Sequence, residues 1–385
     1  MSAPDGWLIW QGKRRGEEIS RVLEYPLFSD SRWLAEVRSG IGPFRVLNTI
    51  GGPFTPGPHY GQAFVMLALQ VGLTGDQMAG KLATKTDPAS YHGGWIDEEM
   101  AALISLAMNA RCRSGGLWRD FGLYEEDEKG QPLTAHFSAP NLIAPKGPGW
   151  RMLPHLNLEV DLDSLPPFLN AYAALGPQTA TALVRAARLF QQALWIADAD
   201  PNLSWVLLVS ALEAAVDSWK GHAKQEPLHQ IKENWQELGD LLAEVQTNDA
   251  GLAGKLAKLL RGNVRVQSRV KRFVASFAPN PPSPRPKFDA VDWDPESLAK
   301  YIGKIYNWRS RFLHSALPFP GAMCDPPRAD GDGGFSECPG GLGTGIGRAT
   351  WLAEDTPMML WTFAYLVGEV LRAWWLEESP STIAQ

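Results

Sequence analysis

Tyr306-Asn307-Trp308-Arg309-Ser310-Arg311-Phe312-Leu313-His314 is the stretch on which the rest of this 385-residue chain turns. Upstream, Asp294-Pro295-Glu296 is a helix start: an aspartate to cap, a proline in the first turn and a glutamate facing the helix dipole. From there Leu298, Tyr301, Ile302, Ile305, Trp308 and Phe312 recur at helical spacing, and Pro318 closes the run. The stretch therefore occupies the last turns of an apolar helix and carries an arginine and a histidine to its end. Histidine titrates close to neutral pH and passes a proton, while arginine stays charged and forks onto a phosphate. Metal-free RNA cleavage needs those two side chains most. The plain alternative is a surface histidine beside a solvated charge. Arg309 and His314 are five residues apart, about 140° around an ideal helix, so they do not share a face. A joint site needs a distorted helix end or a second copy of the helix.

Other helices surround this one. Leu183, Ala187, Phe190 and Leu194 recur at helical spacing across 179–197, and Asp200-Pro201 opens a further helix through Leu207, Leu208 and Leu212 to about Lys220, with Gly221 ending it. Helical runs follow at about 228–245 and 252–277, the second with a candidate break at Gly262-Asn263. A last helix is expected from near Thr356-Pro357 to Leu376. Between them, 321–350 is rich in Gly, Pro and Asp and is expected to be a long loop. The fold expected for 171–385 is a mainly α-helical bundle with that Gly/Pro-rich insertion.

Residues 1–170 read differently. Short apolar runs such as Gly6-Trp7-Leu8-Ile9-Trp10 alternate with Gly/Pro clusters at Gly40-Ile41-Gly42-Pro43 and 51–58, the pattern of strands bounded by turns. One helix interrupts them, started by Asp97, Glu98 and Glu99 and stopped by Gly115-Gly116. An α+β N-terminal domain that senses or binds a partner is the expectation, with the Pro-rich segment 161–177 as the boundary.

Composition narrows the function. Hydrophobic residues at 45% and charged residues at 20% exclude wholesale disorder. Three cysteines without C-x-x-C spacing argue against a disulfide framework and against cysteine-held zinc. That pattern fits a reducing cytoplasm. The start of the chain lacks the marks of a secretory signal, and the longest apolar run, 358–368, is too short to span a bilayer. Net charge is −6, yet it is uneven: 15 basic against 19 acidic residues over 1–169, 18 against 14 over 170–320, and 3 against 9 over 321–385. Only the middle part suits a polyanion. Within it Lys255, Lys258, Arg261, Arg265, Arg269 and Arg272 follow at spacings of three or four, either a phosphate-tracking stripe or a solvated helix face.

Arg309-Ser310-x-x-x-His314 resembles the R-[polar]-x-x-x-H signature of the HEPN domain superfamily. The segment 204–213, Ser-Trp-Val-Leu-Leu-Val-Ser-Ala-Leu-Glu, is similar to the second helix of ApeA-like HEPN families, where an Ala-Leu-Glu ending recurs. The helix order from about 178 to 377 also resembles a HEPN bundle with insertions, so the likeness covers roughly half the chain. It implies a homodimer in which two arginines and two histidines line one cleft, which would resolve the angular mismatch above. It further implies a metal-independent endoribonuclease without a cofactor. In that scheme His314 exchanges protons, Arg309 holds the phosphate, and Ser310 orients Arg309 or the backbone. Glu213 and Arg311 would be supporting groups, Glu213 either in catalysis or in positioning Arg309. The implied setting is antiphage defence or toxin-like inhibition of translation, acting on structured or transfer RNA and restrained by an antitoxin or released by a phage trigger. The competing expectation is a non-catalytic HEPN module that binds RNA or nucleotide or serves as a dimerisation scaffold.

Several other patterns lead nowhere. The Gly-rich run 340–347 lacks G-x-G-x-x-G spacing and is expected to be a flexible loop. His59, His92, His136 and His155 show no metal-binding spacing, and Glu125-Glu126-Asp127-Glu128 reads as a solvated acidic turn.

Overall fold

The computed structural model describes residues 3–48, 65–74, 86, 91–121, 136–137, 140–141, 151–219, 221 and 236–379, with side chains at 65–66, 121, 136–137, 236–237, 250 and 257–265 outside the description. The turn cluster 51–58, His59, the acidic run 125–128, Lys220 and the start of the helix expected at 228 therefore lie outside the described residues. The chain divides into two compact units, Met1–Ala211 with Leu371–Gln385, and Leu212–Val370. A sheet-bearing N-terminal part is followed by mostly helical chain.

The first unit opens with α1 (Asp5–Arg14), not with the strand expected at 6–10. A five-residue apolar run does not distinguish strand from helix by itself. The decision comes from tertiary structure: Gly6, Ile9 and Trp10 are buried at helical spacing, and the first-turn N–H of Gly6 donates to Glu99 Oε2 at 3.2 Å. A methyl group at Gly6 would stand 2.6 Å from Glu99 Oε1, so the close approach demands glycine.

Next come β1 (Ile19–Ser29), β2 (Arg32–Leu34), β3 (Phe44–Asn48) and β4 (Val65–Thr74). Strand β1 pairs antiparallel along its length with β4, and β3 pairs with the other edge of β4. Helix α2 (Ile96–Met108) starts where its acids predict, but it ends at Asn109, left-handed at φ 49°, before Gly115-Gly116 is reached. Short strands β5 (Arg113–Ser114), β6 (Gly116–Leu117), β7 (Arg119–Phe121), β8 (His136–Phe137) and β9 (Glu159–Asp161) follow. Both β5 and β7 pair with β1, giving the order β3–β4–β1–β5 with β7 also on β1. Register brings Glu24 opposite Gln70 on one side and Arg119 on the other. The fully buried Glu24 carboxylate accordingly accepts from Gln70 Nε2 at 2.7 Å and from Arg119 Nε and Nη2 at 2.8 and 2.6 Å. A one-residue slip would turn Glu24 to the opposite face of the sheet and undo all three bonds.

Helix α3 (Pro166–Ala174) lies in the segment where a domain boundary was expected, and α4 (Pro177–Ile196) and α5 (Pro201–Val216) follow it. The compact units instead divide at 211/212, because α4 packs on α2. Gln191 Nε2 on α4 donates to Cys112 O at 2.5 Å and Arg188 Nη2 to Gly93 O at 2.7 Å, so α4 belongs with the sheet-bearing unit.

The second unit contains α6 (Gln236–Asn248), α7 (Ala250–Ser276) and α8 (Pro295–Ser315). Asp249 caps α7 by accepting from Leu252 N, and the helix runs unbroken through Gly262-Asn263, so the break considered there does not occur. Trp219 makes edge contacts with Phe273 of α7 and with Phe277 just past its end, and α7 packs along α8. As the Asp-Pro-Glu start predicts, Asp294 caps α8 through Glu296 N and Ser297 N, with Leu298, Ile302, Ile305 and Trp308 buried. The expected loop at 321–350 carries a hairpin, β10 (Gly343–Ile346) with β11 (Ala349–Leu352), and so corrects the Gly-rich run to structured chain. Gly347, at φ 62°, supplies the left-handed first position of its two-residue loop. Helix α9 (Leu360–Glu378) ends the described chain.

Candidate functional site

Helix α8 delivers the arginine and the histidine to different surroundings. It is regular to Ser315 and stops at Ala316, left-handed at φ 54°, whose N–H returns to Arg311 O. No distortion brings Arg309 and His314 onto one face, and the separation computed for an ideal helix stands.

Arg309 turns inward. Its Nη2 donates to Glu213 Oε2 at 2.9 Å, both side chains being about a quarter exposed. Glu213 comes from α5, 96 residues away in sequence. Burial holds the Glu213 carboxyl above its ordinary pKa, with the Arg309 charge pulling it back. Tyr306, one turn before Arg309, sets its hydroxyl beside the same carboxylate, without hydrogen-bond geometry among the described residues. Burial and then the Glu213 charge push the Tyr306 phenol up, so it stays a neutral hydroxyl. The Arg309 Nε is also buried and without a hydrogen-bond acceptor among the described residues. Thus Arg309 has one side engaged by Glu213 and further N–H capacity remaining.

His314, Ser310 and Arg311 turn outward and are exposed. His314 sits in the last helical turn. The Arg311 guanidinium lies 4.8 Å from the centre of the Trp308 ring, a cation–π contact on the surface. Beside them Leu313 and Leu317 are 48% and 45% exposed, so the helix end carries apolar surface around its histidine.

The basic stripe on α7 divides. Arg269 is 11% exposed at its side chain, donates to Val216 O at the C-terminal end of α5, and approaches Asp217 Oδ1 at 3.4 Å. It serves as a structural clamp there. Arg272 is half-buried with Nε 3.4 Å from Ser268 O, Lys255 is exposed, and the side chains of Lys258, Arg261 and Arg265 lie outside the described residues. Glu213, in the last turn of α5, and Asp217, just past its end, are each met by an arginine from a different helix, Arg309 from α8 and Arg269 from α7. Sequence reading missed Tyr306 and Asp217. Tyr306 had a signal, since three residues before Arg309 places it on the same face. Asp217 had none, because its partner is 52 residues away.

No group of three or more His, Cys, Asp or Glu that could hold a metal ion occurs among the described residues, and no helix among them is long and apolar enough to cross a membrane. No protein-family model, curated protein or solved structure matches the chain.

Proposed function

We propose that the chain is a metal-independent endoribonuclease of the HEPN type, with a composite site formed by two copies of the end of α8. The observation that carries this is the placement of Arg309 and His314: an arginine held by Glu213 and an exposed histidine ringed by Leu313 and Leu317 at a helix end. A single copy offers no face that holds both groups. A second copy, docked on the apolar end, supplies the missing half. In such a cleft one His314 takes the proton from a 2′-hydroxyl as its oxygen bonds to the adjacent phosphorus. The other His314 protonates the departing 5′-oxygen, leaving a 2′,3′-cyclic phosphate and a 5′-hydroxyl. Arg309 holds the phosphate and offsets its growing negative charge, and Ser310 stands beside it on the exposed side. The substrate class is structured RNA, transfer RNA included. Antiphage defence or toxin-like arrest of translation is the setting, in the cytoplasm, with the N-terminal part receiving an antitoxin or a phage trigger.

Purified protein incubated with total RNA is expected to yield fragments ending in cyclic phosphate, and His314→Ala and Arg309→Ala are each expected to slow cleavage at least about 100-fold. Equal cleavage by all three proteins removes the assignment. A non-catalytic HEPN module that binds RNA or nucleotide is the second reading, favoured by the engagement of Arg309 with Glu213. RNA retained without scission by all three proteins selects it.

Glu213 is assigned as a positioning residue, since its carboxylate is spent on Arg309. Glu213→Gln keeps an acceptor for Nη2 and is expected to retain cleavage within about tenfold, whereas Glu213→Ala is expected to lose about 100-fold. Equal losses in initial rate for the two variants would instead make the carboxylate itself part of the chemistry.

A further inference from the structure

The second unit holds a pocket of ≈ 350 Å³ that the ribonuclease proposal does not use, between the 289 region, the turn after α8 and the β10–β11 hairpin. Three charged side chains line it: Asp289, Asp325 and Arg328. None of the three makes a side-chain hydrogen bond or ion pair with another described residue. Asp325 senses the Arg328 charge without pairing to it, and partial desolvation of its otherwise exposed side chain holds the carboxyl above the ordinary value. Asp289 is fixed in place. Its backbone is left-handed at φ 60°, and its carbonyl accepts from Glu337 N at 2.9 Å and Cys338 N at 3.0 Å. Its carboxylate presses so close to Gly340 that a methyl group there would stand 2.6 Å from Oδ2. Thr344, from β10, also lines the pocket, and its Oγ1 is buried with no hydrogen-bond partner among the described residues. A buried hydroxyl left without a partner is unfavourable unless something bonds to it. Ile346 and Met359 supply apolar wall.

The size falls at the lower end of small-molecule sites, roughly 300–1,000 Å³. A bare divalent cation is the poorer match, because the lining guanidinium would repel it and no group of three or more His, Cys, Asp or Glu that could hold a metal ion occurs among the described residues. The charges match an organic ligand with two cationic groups and one anionic group. We propose that this pocket binds a free basic amino acid: the α-carboxylate against Arg328, the α-ammonium and the side-chain cation against Asp289 and Asp325, and the methylene stem along Ile346 and Met359. Complementary charge of this kind gives specificity more than raw affinity, and the expected binding is accordingly modest.

Isothermal titration of the full chain with L-arginine, L-lysine and agmatine, the amine that lacks the carboxylate, tests it. Arginine or lysine is expected to bind saturably, with agmatine about tenfold weaker. Asp325→Asn is expected to weaken arginine about tenfold, and Arg328→Ala to abolish the preference for arginine over agmatine. Both positions are exposed, so the variants are expected to fold, and circular dichroism checks that they do. Absence of saturable heat with either amino acid up to roughly 10 mM overturns the proposal. Unchanged arginine affinity in Asp325→Asn, or agmatine binding as well as arginine to the unmodified chain, overturns it too.

Discussion

Glu337→Ala is expected to cost the second unit about 2–6 kcal/mol, about 1–3 kcal/mol for each of the two donors, Val291 N and Trp293 Nε1, that it leaves without an acceptor. Glu337 is fully buried in the Gly-rich segment after α8. Its Oε1 accepts from Arg285 Nε at 3.0 Å, and its Oε2 accepts from Arg285 Nη2 at 2.7 Å, Val291 N at 2.7 Å and Trp293 Nε1 at 3.1 Å. Its own carbonyl accepts from Met359 N at 2.8 Å and Thr362 Oγ1 at 2.7 Å, which ties the same residue to the start of α9. Alanine keeps the carbonyl bonds and strands the donors of the Pro-rich linker. Arg285 is 39% exposed and can turn to water, so the main cost falls on Val291 and Trp293. Hydrogen exchange of peptides spanning 285–293, alongside urea denaturation, reads the effect. A loss below about 1 kcal/mol with unchanged protection would show that the hub is not structural.

Acid is expected to weaken the first unit through His155, whose pKa is pushed down to about 3 by burial and then by the charges of Arg372, Arg151 and Arg111. Its folded value lies below the ordinary 6.5, so the unfolded chain takes up the proton first as pH falls. Stability is therefore intact above 6.5 and lost progressively down to 3, at about 1.4 kcal/mol per pH unit and near 2 kcal/mol by pH 5. The arginines stay put because each has other work. Arg111 donates to Leu194 O, Asp30 and Asp198, and Arg372 to Leu106 O at 2.9 Å. Denaturation of the native chain and His155→Gln between pH 7 and 4.5 separates this group from the carboxylates. The variant is expected to lack that part of the slope, and parallel pH profiles would refute the assignment to His155.

What the sequence made legible was local. Asp294-Pro295-Glu296 announces α8 because a cap and its helix are neighbours, and the acids at 97–99 announce α2 for the same reason. What it hid was non-local. The helical state of 5–14 depends on Glu99, 93 residues from Gly6, and the inclusion of α4 in the first unit depends on packing against α2. Gly262-Asn263 looked like a break because both residues are poor helix formers, yet a 27-residue helix absorbs them. At the site, Arg309 and His314 were visible as residue types at a spacing. The division of labour between an inward arginine and an outward histidine was not, since it follows from a carboxylate on another helix.

Under the proposed ribonuclease reading, Glu213 and Arg309 would also couple anion binding to protons. A phosphate engaging Arg309 would weaken the charge that opposes the upward pull of burial on the half-buried Glu213 carboxyl, which would then move further above its ordinary range. By linkage, a falling pH would tighten the grip on the anion.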